Sequence, residues 1–105
     1  DGKLIEVKSD RLIHKTGNLF IEYRSRDKPS GLATTTANYW IYRMDMLDTA
    51  IILPTNLLKK VCRVYYKNNE FKIKGGDNNT SDGLLIPLIR LLKDLALLNQ
   101  NDETT

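Results

Sequence analysis

An acidic residue and a lysine stand two positions apart, at Glu6 and Lys8, within the apolar segment LIEVK of residues 4–8. Because successive side chains of a strand point to opposite faces, this spacing predicts that Glu6 and Lys8 emerge side by side, while Ile5 and Val7 point into a core. A carboxylate beside an ammonium group offers an oxygen ligand for Mg²⁺ and a cation near an attacking water, as metal-dependent phosphodiester hydrolysis requires. A solvated ion pair on a half-exposed strand has the same spacing, so the pair alone leaves both interpretations open.

A second segment repeats this arrangement. Residues 19–24 are predicted to form a strand. One face would carry Leu19, Ile21 and Tyr23, and the other Phe20, Glu22 and Arg24. The spacing of Glu22 and Arg24 matches that of Glu6 and Lys8, and we expect the two strands to be neighbours. Glu22 is then either a further carboxylate of the site or the cross-strand partner of Lys8.

Composition limits the kind of metal and the kind of partner. The 105 residues suffice for one domain, and the net charge of +3 suits a polyanionic partner without requiring one. The chain has a single cysteine, Cys62, and a single histidine, His14, which excludes an internal disulfide and a metal site built from His and Cys. Any metal must therefore bind to carboxylates and carbonyls, which favours Mg²⁺, Mn²⁺ or Ca²⁺.

Cysteine usage and hydropathy also bear on location. One cysteine favours a reducing compartment, and we expect a cytoplasmic protein. The longest apolar segment, residues 84–98, is interrupted by charges and is too short to cross a bilayer, so we expect no membrane insertion.

The elements that must position these residues follow from periodicity and turn signals. Asp10 is expected to cap the turn after the first strand, and a helical turn is expected around residues 36–39. Residues 74–83, rich in Gly, Asn and Asp, are expected to form a loop. Strands are predicted at residues 3–8, 19–24, 40–44, 49–53 and 70–74.

Two helices are predicted. The first begins after Pro54, with Thr55 as its N-cap, and its buried stripe comprises Leu57, Leu58, Val61, Val64 and Tyr65. Its opposite face carries a basic stripe formed by Lys59, Lys60, Arg63 and Lys67. Such a stripe is equally typical of a helix that binds a DNA backbone and of one that faces solvent. The second helix has Pro87 in its first turn and ends near Leu98, followed by a flexible tail over residues 99–105.

Several of these segments resemble the PD-(D/E)XK nucleases. EVKSD at residues 6–10 and TGNLFIEY at residues 16–23 resemble the core of that superfamily. KPSGL at residues 28–32, TTANYW at residues 35–40, and GGD at 75–77 followed by LLIP at 84–87 resemble a phage-type branch.

The resemblance implies a fold and an activity. The fold would be a single α/β domain, residues 1–98 with an N-terminal part missing, built on a restriction-endonuclease-like central mixed β-sheet flanked by helices. The activity would be Mg²⁺-dependent hydrolysis of DNA phosphodiester bonds, with Mn²⁺ as a substitute, and structure-selective cleavage because no extra domain reads sequence. The alternative is a catalytically inactive nucleic-acid-binding module of the same fold. Small members of the superfamily dimerise, so a homodimer is also expected.

The resemblance also implies roles for individual residues. Glu6 would be a metal ligand, and the backbone carbonyl of Val7 would supply another oxygen. Lys8 would orient the attacking water and stabilise the charge that develops on the phosphate.

The superfamily places a second acidic residue on the preceding strand, and here the chain departs from it. Asp1 is the only acid before Glu6, and it lies five positions earlier, which is too short a distance for a strand, a turn and a return. Asp1 is therefore a weak metal ligand, and three alternatives remain: an upstream Asp, which we favour, substitution by Glu22, or an inactive chain.

Contacts with DNA phosphates are expected from residues near the predicted site. Arg11 and Lys15 belong to a basic cluster after the first strand, and Lys28 lies in the next polar loop. Ser30 and Thr35 offer hydroxyls and amides to phosphates. A Pro/Ser/Gly loop of this kind is also an ordinary turn.

Overall fold

The computed structural model describes the backbone of residues 2–104 and the side chains of residues 2–76 and 78–100. The strands are β1 Ile5–Ser9, β2 Asn18–Ser25, β3 Lys28–Pro29, β4 Tyr39–Met44, β5 Thr49–Pro54, β6 Lys72–Gly75 and β7 Ser81–Pro87. The helices are α1 Ile13–Thr16, α2 Thr55–Lys67 and α3 Leu88–Thr104, and short 3₁₀ turns lie at Gly31–Ala33, Asp45–Leu47 and Asp77–Asn79.

The chain forms a single α/β domain, as predicted, but its strands divide between two sheets. In the first sheet, of order β1-β4-β5, β1 is parallel to β4 and β5 is antiparallel to it. The second sheet is antiparallel, of order β3-β2-β7-β6. The prediction that β1 and β2 are neighbouring strands was therefore wrong, because β2 pairs along its length with β7.

The sequence pattern did not predict strand β7. The Gly, Asn and Asp residues at 75–83 indicated one long loop, whereas the chain returns to extended backbone at Ser81. Gly83 has a packing role in this strand, since a Cβ at this position would collide with the ring of Phe20. Glycine in a sequence usually argues against a strand. Here the lack of a side chain at Gly83 leaves the space in which the Phe20 ring lies across the sheet.

The faces of β1 are the reverse of those predicted. Ile5 and Val7 are 57% and 52% exposed. The parallel register with β4 places Glu6 beside Trp40 and Lys8 beside Tyr42, and both aromatic side chains are buried. The charged residues of β1 therefore lie on the inner face of the sheet, and its apolar residues lie on the outer face.

Helix α2 matches its predicted span, with two corrections. Pro54 occupies the N-cap, so Thr55 is the first helical residue, and its hydroxyl is buried without a partner among the described residues. The cap was mispredicted because β5 runs directly into the helix. Val64 is half-exposed and lies outside the buried stripe, whereas Leu58, Val61 and Tyr65 are buried as expected.

Other boundaries shift by a few residues. No helical turn forms at residues 36–39, because Tyr39 already belongs to β4. A 3₁₀ turn lies earlier in the chain, at Gly31–Ala33. Pro87 ends β7, and α3 continues to Thr104, past the end expected near Leu98. The flexibility of residues 99–105 stays a prediction, and Thr105 lies outside the described residues. In the described part of the chain, no helix is both long and apolar enough to cross a membrane.

A polar link joins the two long helices. The hydroxyl of Tyr65 donates a hydrogen bond of 2.6 Å to Asp94 Oδ2, and Arg90 Nε donates to the same oxygen at 2.8 Å. The Tyr65 hydrogen bond is the largest of the influences that hold the pKa of Asp94 below its ordinary value. The carboxylate therefore contributes stability above its unfolded-state pKa, and the contribution is lost as the pH falls through the lower folded-state pKa.

We expect Tyr65→Phe to reduce the free energy of unfolding by about 1 kcal/mol near neutral pH, because the carboxylate loses a short charge-assisted bond. The deficit should shrink as the pH falls through the lowered folded-state pKa of Asp94, because a protonated carboxyl no longer benefits from the charge-assisted bond. Urea denaturation at about pH 7 and about pH 3 measures both values. Tyr66→Phe, at a partly exposed tyrosine next in sequence, is the control. A deficit of equal size at both pH values would contradict the assignment.

Candidate functional site

The sheets enclose a cavity of about 200 Å³ between β1 and β2, which we name the Lys8–Glu22 cleft. Strand β1 and the residue after it provide one wall, β2 provides the other, and β4 provides the floor. The lining residues are Lys8, Ser9, Asp10, Phe20, Glu22, Gly31, Trp40 and Tyr42. Two predicted catalytic residues, Lys8 and Glu22, thus meet across a cleft although their strands belong to different sheets.

The Lys8 side chain lies over the aromatic floor. Its ammonium is 5.7 Å from the centre of the Trp40 ring, within range of a cation–π attraction. The indole N–H of Trp40 donates to Thr35 Oγ1 at 3.2 Å, which fixes the ring. The ammonium itself remains exposed to solvent, where it can meet a phosphate.

Glu22 is held in place from two sides. The Ser30 hydroxyl donates a 2.7 Å hydrogen bond to Glu22 Oε2. Gly31 packs so closely on the backbone of Glu22 that a Cβ at Gly31 would collide with the Glu22 carbonyl oxygen. The pairing of β2 with β7 shifts register between Glu22 and Arg24, a β-bulge of the kind that reorients side chains beside functional sites.

Asp10 has the capping role that the sequence predicted. Its Oδ1 accepts hydrogen bonds from the amides of Leu12 and Ile13, both at 3.0 Å, at the start of α1. Its Oδ2 accepts from the Phe20 amide at 3.3 Å, which connects the end of β1 to β2. Since both oxygens are occupied, Asp10 is a positioning residue of the cleft.

Burial is the main influence on the ionisation of Tyr42 in the floor of the cleft, and nearby carboxylates add to it. Burial is the main cause that raises the pKa of Tyr42, followed by the nearby Cys62 thiol, and Asp10, Glu22 and Glu6 raise it further. Three carboxylates therefore act on one hydroxyl, with the Lys8 ammonium as the cation on the cleft wall. Such a negative surrounding favours a bound cation.

Glu6 lies beside this cleft, outside its lining. It is half-buried, on the same inner face of β1 as Lys8 and next to Trp40. Among the described residues, the Glu6 carboxylate accepts no hydrogen bond and forms no ion pair. The Val7 side chain points to the outer face, and Asp1 lies outside the described residues.

The carboxylates in and beside the cleft suit a metal ion that keeps most of its coordinating waters. Among the side chains of residues 2–76 and 78–100, no three of His, Cys, Asp or Glu gather closely enough to hold a metal ion. Mg²⁺ usually keeps several waters and binds through only one or two carboxylates. Glu6 and Glu22, which are not tied to backbone amides as Asp10 is, fit a water-rich Mg²⁺ and do not form an all-protein cage.

The predicted phosphate contacts fall into two groups. Arg11, Lys15 and Lys28 are exposed, and each is available to a polyanion. Ser30 and Thr35 have internal partners: Ser30 donates to Glu22, and Thr35 Oγ1 accepts from Trp40 and from the Ala37 amide.

Sequence reasoning missed the floor of the cleft. The aromatic side chains of Trp40 and Tyr42 predict core or edge packing, and both are buried. The Trp40 ring in addition lies beneath the Lys8 ammonium. The signal that would place them there is the register of β1 with β4, which pairs residues more than thirty positions apart. Local periodicity carries no information on such a register.

We expect Gly31→Ala to reduce the free energy of unfolding by about 1–3 kcal/mol, because it combines a strained positive φ with a collision against the Glu22 carbonyl. Gly17→Ala is the matched control, since Gly17 also has a positive φ but would meet nothing within 4 Å. Urea denaturation of both variants separates the collision from the cost of the φ angle. Equal losses in the two variants would show that the contact with Glu22 contributes nothing.

Comparison of the chain with protein-family models, with curated proteins and with solved structures gave no match.

Proposed function

We propose that the protein is a metal-dependent DNA endonuclease of the PD-(D/E)XK type, with Mg²⁺ as its cofactor and Mn²⁺ as a substitute. The proposal includes the restriction-endonuclease-like form of the α/β domain. The observation that supports it best is the Lys8–Glu22 cleft, where an exposed ammonium faces a carboxylate across a space of about 200 Å³, with the uncommitted Glu6 beside it.

The proposed roles follow from the chemistry of these side chains. Glu6 and the Val7 carbonyl hold the metal, and Glu22 supplies the second carboxylate within the described part of the chain. Bound Mg²⁺ lowers the pKa of a coordinated water and neutralises charge on the phosphate. Lys8 holds the attacking water by a hydrogen bond and stabilises the negative charge that builds on the phosphate oxygens. Ser30 and Asp10 keep the two walls in position.

DNA binding in this proposal relies on surface charge. The net charge of +3 attracts a polyanion, and the exposed Arg11, Lys15 and Lys28 provide contacts to phosphates. Recognition of a DNA shape, such as a branch or a flap, is the proposed basis of selectivity.

The alternative function is a non-catalytic nucleic-acid-binding module. It is favoured by the hydrogen bonds of Asp10, whose oxygens accept from three backbone amides, and by the lack of a three-carboxylate cluster among the side chains that the structure describes. Cleavage and binding measurements separate the two candidates.

We also propose a homodimer that acts in the cytoplasm. Strand β1 pairs with β4 on one side only, and the outer face of its sheet carries the exposed Ile5, Val7 and Ile52. Antiparallel pairing of two copies of β1 about Val7 would bring the two Val7 side chains together on the apolar outer face of the sheet. The buried free thiol of Cys62 suits a reducing compartment.

We expect cleavage of supercoiled plasmid and branched DNA in Mg²⁺ and none in EDTA. Glu6→Ala and Lys8→Ala should each reduce the rate by about a hundredfold or more, since each removes stabilisation of charge in the transition state. Lys93→Ala, at an exposed position of α3, is the control and should cleave like the wild type.

Cleavage that persists in both variants would exclude these residues as catalytic. DNA binding without cleavage in any variant would leave the binding module. In that case log Kd should still change linearly with log salt, whereas salt-insensitive behaviour and no affinity for DNA would exclude both candidates.

We expect light scattering to give twice the monomer mass for the wild type and the monomer mass for Val7→Lys, because two lysines would meet at the symmetry axis of the paired strands. Leu47→Lys changes a similarly exposed apolar residue in a turn outside the sheets and should leave the mass unchanged. A wild-type protein that stays monomeric at high concentration, with and without DNA, would exclude the dimer.

A further inference from the structure

A second concave surface lies on the other face of β2, between this sheet and α2. It has a volume of about 350 Å³, within the range of small-ligand sites, and we name it the Arg24–Arg63 groove. Its apolar floor is formed by Ile21, Leu32 and Leu84. Its cationic rim is formed by Arg24, Lys59 and Arg63. In the described part of the chain, neither Asp nor Glu belongs to its lining.

The charge of the rim is not neutralised. Among the side chains of residues 2–76 and 78–100, no carboxylate forms an ion pair with Arg24, Lys59 or Arg63. The Lys59 ammonium donates a hydrogen bond of 3.5 Å to the backbone carbonyl of Thr35. Lys59 and Arg63 are one helical turn apart and thus lie on the same side of α2. Three cations around one groove attract an anion with more than one charge or with several phosphate oxygens.

Two tyrosines add aromatic surface to the groove. The rings of Tyr23 and Tyr66 meet edge to face, with centroids 5.3 Å apart. Tyr66 is 45% exposed, and Lys72 lies 3.9 Å from its ring centre, which holds the ring in place. Aromatic and aliphatic carbon beside a cationic rim suits a ligand that has a flat apolar part and a phosphate.

The β-bulge of β2 builds this groove and relates it to the cleft. In a regular strand, Tyr23 and Arg24 would point to opposite faces, but the register shift between Glu22 and Arg24 lets both line the groove. Phe20 and Glu22 line the Lys8–Glu22 cleft instead. A single strand thus separates the two sites.

We propose that the Arg24–Arg63 groove binds one unpaired nucleotide, with its base against Tyr66, Tyr23 and the aliphatic floor and its phosphate on the cationic rim. This inference rests on the proposed function and deepens it, because it names an unpaired base as the feature by which branched or flapped DNA is recognised. A base inside a duplex is stacked and paired and does not enter the groove. A free mononucleotide has the same chemistry, and the test distinguishes it from a strand.

The experiment compares two labelled strands by fluorescence anisotropy: a thymidine 15-mer and an abasic 15-mer of equal charge. We expect the wild type to bind the thymidine strand about tenfold more tightly, since one stacked base contributes on this order. Tyr66→Ala should remove this preference, whereas Tyr39→Ala, at a tyrosine on the other sheet, should retain it. Equal affinity of the wild type for both strands would overturn the proposal, as would loss of the preference in both variants.

The cationic rim is tested separately. The double variant Arg24→Gln, Arg63→Gln should weaken binding of both strands by about tenfold or more and reduce the slope of log Kd against log salt, because phosphate contacts are lost. Lys93→Gln should change neither value. An unchanged affinity in the double variant would overturn the role of the rim.

Two further arms assign the source of the nucleotide and separate this proposal from the proposed function. Displacement of the labelled strand by micromolar thymidine 5′-monophosphate supports a site for free nucleotides, and resistance to it supports a site for nucleotides within a strand. A base preference without cleavage supports the groove and removes the nuclease. Cleavage that depends on Glu6 and Lys8 without a base preference removes the groove and leaves the nuclease.

Discussion

The hydrogen bonds of Asp10 are the constraint on which the arrangement of this domain depends. Its amide donates to the Arg43 carbonyl and prolongs the pairing of β1 with β4, while its carboxylate accepts from amides at the start of α1 and at Phe20 in β2. One residue therefore connects the first sheet, the short helix and the second sheet. It thereby helps to hold Lys8 opposite Glu22, whose strands share no ladder, in addition to the core that packs the two sheets together.

Strand β2 lines two surfaces of different charge, the Lys8–Glu22 cleft and the Arg24–Arg63 groove. On one face Glu22, held by Ser30, opens on a small cleft with carboxylates around an aromatic floor. Beyond the bulge, Tyr23 and Arg24 open on a larger groove with a cationic rim. The opposite electrostatic signs of the two surfaces suit a bound cation on one side of the strand and a phosphate on the other.

Several polar residues that invite a functional interpretation are engaged within the fold. Thr35 fixes Trp40, Ser30 fixes Glu22, and Tyr65 and Arg90 hold Asp94 between the long helices. Each of these bonds satisfies a group that would otherwise be unpaired in a partly buried position. The side chains that stay uncommitted, among them Glu6 and Lys8, are for this reason the better candidates for chemistry.

The sequence by itself determined the local features: the strand alternation around Glu22, the amphipathic helix α2 and the capping role of Asp10. Each depends on residues that are only a few positions apart in the sequence. The tertiary structure alone decided which face of β1 is buried, that β2 pairs with β7, and that Lys8 meets Glu22 across a cleft. Alternation assigns side chains to two faces but cannot say which face is covered, because burial and register are set by strands distant in sequence.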